Sequence, residues 1–119
     1  MNDTKPQERV VAAKAGRDKP DVALIPQVAL IAMAEAFKVG EKKYGRFNYC
    51  KGHTTSELIS AMIRHATAYN DGEDRDAKDG QCHLGSVMAN AAMILRQLQL
   101  GTHIDDRFKG LESLNVEQK

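Results

Sequence analysis

Three stretches of the chain carry apolar residues at helical spacing, and each sets polar side chains on a face that packing would want apolar. In the first, which starts near Pro26, Leu30, Met33, Ala34 and Phe37 recur at intervals of about three and four. Val28, Ile31 and Glu35 hold the same spacing on the next row, so a carboxylate continues an apolar face there. Lys38 and Lys42 lie further along that row. A proline suits the first turn, where its missing N–H costs nothing, and Tyr44-Gly45 marks the expected end. The second stretch opens on Thr54-Thr-Ser-Glu57, a capping-box pattern, and continues through Leu58, Met62, His65 and Tyr69 with Ile59, Ile63 and Ala66 alongside. Gly72 is its expected cap. The third runs from about His83 to Leu100, with Leu84, Met88, Ala91, Leu95 and Leu98 as its expected core row. His83, Val87, Asn90 and Ile94 form the neighbouring row, and Gly101 is the stop.

The pattern predicts an all-α, compact bundle of three long helices with short terminal elements. Residues 1–15 read as a polar N-terminal arm with at most one helical turn. Residues 16–101 form the helical domain, and 102–119 a short C-terminal helix around Ile104 to Leu114, or a tail. A chain of 119 residues fits one domain, and so small a core favours pairing with further copies. With Lys and Arg at 17 and Asp and Glu at 16, no basic field recruits nucleic acid directly. The polar start lacks a signal peptide, and no apolar run reaches the ~18–20 residues that span a bilayer, so a cytoplasmic protein with reduced Cys50 and Cys82 is expected.

The densest chemistry lies between Arg64 and His83. After Asp71-Gly72 come Glu73, Asp74, Asp76 and Asp79, and Gly80 closes the run. Crowded carboxylates repel one another unless a cation shares them or water surrounds them. Glu73 and Asp76 are three apart, so on a helical turn both would face one way, as oxygen ligands for magnesium or manganese. An EF-hand is excluded by spacing: counted from Asp74, the required glycine comes one residue late. A zinc site from Cys50, His53, Cys82 and His83 is disfavoured because Cys82 and His83 are adjacent. A buried His65, His83 or Asn90 taken singly is ordinarily a hydrogen-bonded core residue. Together with Glu35 and the acidic run, they point to a shared polar site. Lys42, Lys43, Arg46, Lys51 and Arg64 gather around the first loop, either as solvated surface or as phosphate ligands.

These residues carry a resemblance. The runs at 16–26 (Gly-Arg-Asp-Lys-Pro-Asp-Val-Ala-Leu-Ile-Pro) and 40–49 (Gly-Glu-Lys-Lys-Tyr-Gly-Arg-Phe-Asn-Tyr) come first. Arg64-His65, Gly-Glu-Asp-Arg-Asp at 72–76, Gly80, His83-Leu84 and Asn90 then follow in order. That order resembles the phage dATP/dGTP diphosphohydrolase family, MazG-like members of the all-α NTP pyrophosphohydrolase superfamily. The resemblance implies hydrolysis of a purine (deoxy)nucleoside triphosphate, dGTP foremost and dATP or GTP otherwise, to the monophosphate and pyrophosphate. It also implies Mg2+ or Mn2+ as cofactor, a homodimer or homotetramer, and a place in phage nucleotide metabolism that could supply dGMP for 2-aminoadenine DNA. Glu73 and Asp76 match the superfamily's Glu-x-x-Asp pair. Of its usual Glu-Glu-x-x-Glu cluster only Glu35 is present, with Lys38 three residues on.

The expected roles follow. Glu35, Glu73 and Asp76 hold metal, with Asp74 and Asp79 as lesser candidates, and His65 joins the first three as a catalytic group. Lys42, Lys43 and Arg64 meet phosphate oxygens, Phe47 or Tyr49 stacks on the purine, and His83 lies beside the substrate. Asn48 and Asn90 present a donor and an acceptor to base or sugar. The alternative is a non-enzymatic helical module that binds a cation or a partner helix through the same faces.

Overall fold

Local signals at the helix ends act as the sequence predicts. Pro26 stands at the N-cap of α1, Gln27–Tyr44, and Gly45 follows its last turn with φ 98°. Thr54 caps α2, Thr55–Asn70, through a complete capping box in which the Thr54 hydroxyl accepts from the Glu57 N–H while the Glu57 carboxylate accepts from the Thr54 N–H. At the other end Gly72, with φ 106°, forms a Schellman turn: the Glu73 N–H donates to the Ala68 carbonyl and the Gly72 N–H to Tyr69. The third helix, α3, spans His83–Leu100 and stops at Gly101 in the left-handed region. Short 3-10 turns occupy Val22–Leu24, Asn48–Lys51 and Leu111–Leu114. These elements belong to a computed structural model that describes residues 11–13, 15–16 and 18–114. The expected N-terminal arm lies largely outside the described residues. Among them there is no strand, only two isolated bridges, and no helix long and apolar enough to cross a membrane.

The fold is all-α, with α3 packed between α1 and α2. Its inward faces correct the sequence reading. On α3 the expected core row is the outer one: Leu84, Leu95 and Leu98 are exposed, while His83, Ser86, Ala89, Asn90 and Gln97 are buried. The reason is steric. A Cβ on Gly85 would collide with the carbonyl of Ala32, so α1 and α3 touch backbone to backbone through small residues, and bulky leucines cannot fit between them. On α1 the half-buried positions include Ala29, Ala32, Met33, Ala36 and Phe37, whereas Val28, Ile31 and Glu35 face outward. The expected burial of Glu35 is therefore not observed within one chain. On α2 Leu58 is buried and Met62 and His65 are half-buried, but Ile59, Ile63 and Tyr69 are exposed.

In the C-terminal segment no α-helix runs from Ile104 to Leu114, and the helical part is the short 3-10 turn at Leu111–Leu114. Residues 102–106 lie extended across the start of α2, where the Thr55 N–H donates to the Ile104 carbonyl and the Ile104 N–H to the His53 carbonyl. Asp106 accepts from both the N–H and the hydroxyl of Ser56. An acceptor for the unpaired N–H groups of α2 is worth more to this segment than a helix of its own.

Candidate functional site

The acidic run reaches its geometry by a route the spacing does not suggest. Residues 73–82 form no helical turn. They fold as a tight hairpin in which the Asp76 N–H donates to the Gln81 carbonyl, the Gly80 N–H donates to the Asp76 carbonyl, and Arg75 bridges to Cys82 in antiparallel fashion. The Arg75 guanidinium braces the turn on the Gly80 carbonyl at 2.9 Å. This folding, not a three-residue helical offset, sets Glu73 and Asp76 beside the first residue of α3.

His83 is the hub. Its ring is almost wholly enclosed; Nε2 lies 2.6 Å from Glu73 Oε1, and Nδ1 lies 2.8 Å from Nδ1 of His65 on α2. The two rings sit 5.1 Å apart at 48°. Donor atoms of His65, Asp76 and His83 all fall within 4.8 Å of one another. Burial, then the neighbouring His83, hold the His65 pKa below its ordinary value, so its imidazole is biased toward the neutral form. The Lys78 backbone N–H, at 2.7 Å, chiefly holds the Asp76 carboxyl below its ordinary value, and Asp76 is ionised at neutral pH. Two imidazoles and a carboxylate on one spot are a donor set that suits a divalent ion.

Beside this cluster opens a cavity of about 680 Å³, within the range of small-molecule sites. Its walls include Phe37, Lys43, Phe47, Asn48, Tyr49 and Asn90. Tyr49 packs on Phe37 with ring centroids 5.2 Å apart, and the Arg46 guanidinium lies 5.2 Å over the Phe47 ring. Phe47 itself holds φ 62°, a left-handed conformation that a bulky residue seldom adopts. Asn90 donates to the Ser86 carbonyl at 2.8 Å. Cavity and cluster meet at Gln81, which lines the cavity, bonds the Ser86 hydroxyl and hands its carbonyl to Asp76. Lys43 also spans the gap, with Nζ 3.6 Å from Asp79.

The structure thus brings His65, Glu73, Asp76 and His83 together, and places Lys43, Phe47, Asn48 and Asn90 around the adjoining cavity. Glu35 is exposed on α1 and is not in the donor cluster; Lys42 and Arg64 are exposed and do not line the cavity. His53 and the free Cys50 and Cys82 form no cluster with His83 among the described residues.

Sequence reasoning missed a second polar centre at the far end of α3. Gln97 is fully enclosed, and its amide makes four bonds. Its Nε2 donates to the Tyr49 carbonyl and to His53 Nδ1, each at 2.8 Å. Its Oε1 accepts from the His53 N–H at 3.1 Å and from His103 Nδ1 at 2.8 Å. Those roles fix the tautomers: His53 Nδ1 accepts, His103 Nδ1 donates, and His103 Nε2 is left to accept from the Thr55 hydroxyl at 2.7 Å. The signal was present, since Gln97 follows Asn90 by seven residues on the polar row.

A family model described as dATP/dGTP diphosphohydrolase, N-terminal, matches residues 10–107. No curated protein and no solved structure matches the chain.

Proposed function

The chain belongs to the dATP/dGTP diphosphohydrolase family, matching its N-terminal domain, and on that premise we propose that it hydrolyses a purine deoxynucleoside triphosphate, dGTP or dATP, to the monophosphate and pyrophosphate. The observation that carries this reading is the junction of a nucleoside-sized cavity with the His65–Asp76–His83 cluster at Gln81. Phe47 and Tyr49 offer aromatic faces to the base, and Asn48 and Asn90 offer donors and acceptors to base or sugar. Lys43, already directed at Asp79, exchanges that exposed ion pair for phosphate oxygens as the triphosphate reaches toward the cluster.

In the reaction the P–O bond bridging the α and β phosphorus atoms breaks. The oxygen of a water joins one fragment, the other leaves with the electron pair, and a proton is released. A divalent cation such as manganese, held beside Asp76, would supply Lewis acidity to the phosphate chain. Glu73 acts on this centre by holding His83 in one orientation.

The same reading includes a homodimer or homotetramer. Val28 and Ile31 on α1, Ile59 and Ile63 on α2, and Leu84, Leu95 and Leu98 on α3 are all exposed, more apolar surface than one chain can hide. Glu35 shares the outer face of α1 with Val28 and Ile31, so pairing through that face would carry a carboxylate into the interface. Light scattering on the purified protein reads the assembly directly.

The decisive assay incubates the protein with manganese and each of dGTP, dATP and GTP, and measures pyrophosphate and monophosphate. Equimolar products are expected, with turnover lost in Asp76→Asn and in Glu73→Gln while helical circular dichroism is kept. Absence of pyrophosphate from all three substrates sinks the reading and leaves a cation-binding helical module.

A further inference from the structure

From the arrangement around His83 we infer that this chain carries a mixed nitrogen–oxygen metal centre, with His65 Nδ1, His83 Nδ1 and the Asp76 carboxylate as ligands and Glu73 as the residue that orients His83. The site therefore selects a borderline first-row transition dication over magnesium or calcium. It deepens the reading above by naming the cation class, and rests on it only in taking this cluster as the metal-bearing end of the molecule.

The chemistry follows from the hydrogen-bond roles. Glu73 is an acceptor, so the 2.6 Å contact requires a proton on His83 Nε2. In neutral His83 the lone pair must then sit on Nδ1, which points at His65. A metal-bound histidine characteristically donates its other ring N–H to a carboxylate in this way, which fixes both tautomer and ring angle. Glu73 and His83 already stand in that relation, and the enclosed His83 ring has no freedom to turn elsewhere.

Distances agree. Two imidazole nitrogens bound to one ion, each at about 2.0–2.1 Å, stand roughly 3.0–3.4 Å apart for the usual bond angles. The two Nδ1 atoms are 2.8 Å apart with the proton between them carried by His65, so moving that proton to His65 Nε2 and parting by a few tenths of an ångström leaves two neutral imidazoles with both Nδ1 lone pairs free to hold an ion. Asp76 is within the same 4.8 Å group and is held there by the hairpin. Its carboxylate, with neutral imidazoles, leaves coordination positions open for water or phosphate oxygens.

Selectivity follows from the donor atoms. Magnesium and calcium take shells of oxygen, with carboxylates, carbonyls and water. Imidazole nitrogen suits manganese, cobalt and zinc increasingly well along the first row, and a pair of imidazoles within 3 Å is wasted on a hard ion.

The test uses nucleotide-free, full-length protein titrated with Co2+ and followed by visible ligand-field absorption. One cobalt per chain is expected, with a band that survives about a hundredfold excess of Mg2+ and disappears on adding Zn2+. H83Q and D76N should lose the band. E73Q should keep it but bind cobalt about 10–100-fold more weakly, the usual cost of removing an orienting partner. Should H83Q lose its helical circular dichroism, D76N, outside the helices, carries the ligand test alone. Displacement of cobalt by an equal concentration of Mg2+, or parental cobalt affinity in D76N, overturns the inference. No nucleotide is present, so failure of pyrophosphate release alongside intact cobalt binding counts against the proposed function and leaves this centre standing.

Discussion

The buried face of α3 carries a polar centre at each end, and the two differ in one respect: whether their valences are spent. At the C-terminal end Gln97 makes four hydrogen bonds, and the histidines around it hold opposite, complementary tautomers. The Gln97 amide is saturated and has nothing left to offer a ligand. At the N-terminal end, about 21 Å away along the helix, His83 has one nitrogen satisfied by a carboxylate and the other shared with a second imidazole, with an ionised Asp76 beside them. A closed network fixes the fold, and an open one is available for chemistry.

The largest effect that would break this contrast is on stability. Gln97→Ala removes four hydrogen bonds in an enclosed setting. At roughly 1 kcal/mol each the loss is about 3–4 kcal/mol, a large share of a small domain's stability. His83→Gln should cost less than half as much by urea denaturation, because it removes two contacts where Gln97→Ala removes four. Equal losses would show that the two ends are built alike.

Next in size is the steric contact that sets the spacing of α1 and α3. Gly85→Ala places a methyl group against the Ala32 carbonyl, and about 1–3 kcal/mol of destabilisation is expected. Its position two residues after His83 means that the metal end should feel the shift and the Gln97 end should not. Amide exchange at Tyr49 and His53 compared with that at residues 73–83 separates the two.

The start of α2 belongs to the closed end, and it should respond to acid. The Thr54 backbone and hydroxyl chiefly hold the Glu57 pKa below its ordinary 4.5, and the Ser56 hydroxyl and N–H hold Asp106 below its ordinary 3.8. Both folded-state values are depressed, so their stabilisation is complete above those ordinary values and is lost as pH falls through the lower folded ones. Thr54→Ala should cost about 1 kcal/mol near neutrality and, because it removes the hydroxyl but keeps the backbone N–H that bonds Glu57, should only slightly flatten the acid limb of a urea-midpoint profile. A profile unchanged by the substitution would remove the cap from the account.

The smallest stability effect is expected at the cavity rim. Phe47 keeps a left-handed backbone that costs an L-residue about 1–2 kcal/mol, which Phe47→Gly relieves. The variant should be as stable as the parent or slightly more so, yet show a raised KM for the purine triphosphate as its aromatic wall is lost. An unchanged KM would assign that strain to the turn alone.

Much of this architecture can be read along the chain, and the division is physical. Helix ends are written in neighbouring residues: Pro26, the Thr54–Glu57 box, Gly72 and Gly101 each act within a few positions. Which face is buried is not a local property. Each helix has two apolar rows, and the choice on α3 was made by a glycine contact with a distant helix, which no period reveals. The site divides in the same way. His65, His83 and the acids are visible as polar residues out of place, but the hairpin that unites them is held by backbone bonds that side-chain spacing does not encode. Gln97 was hidden for the opposite reason, because a glutamine late in a helix looks like ordinary surface.

The Gln97 centre has a mechanical consequence for α3. It ties this helix to the loop at Tyr49 and His53 and to the returning segment at His103, so a rotation of α3 by one residue, about 100°, would sever every one of those bonds. The helix that presents His83 and Asn90 is thus a fixed post, clamped at its far end. Across the cavity Gly40 and Gly45 bracket the last turn of α1, with open space where a side chain would stand, and the rim from Lys43 to Phe47 has no bond to the Gln97 amide.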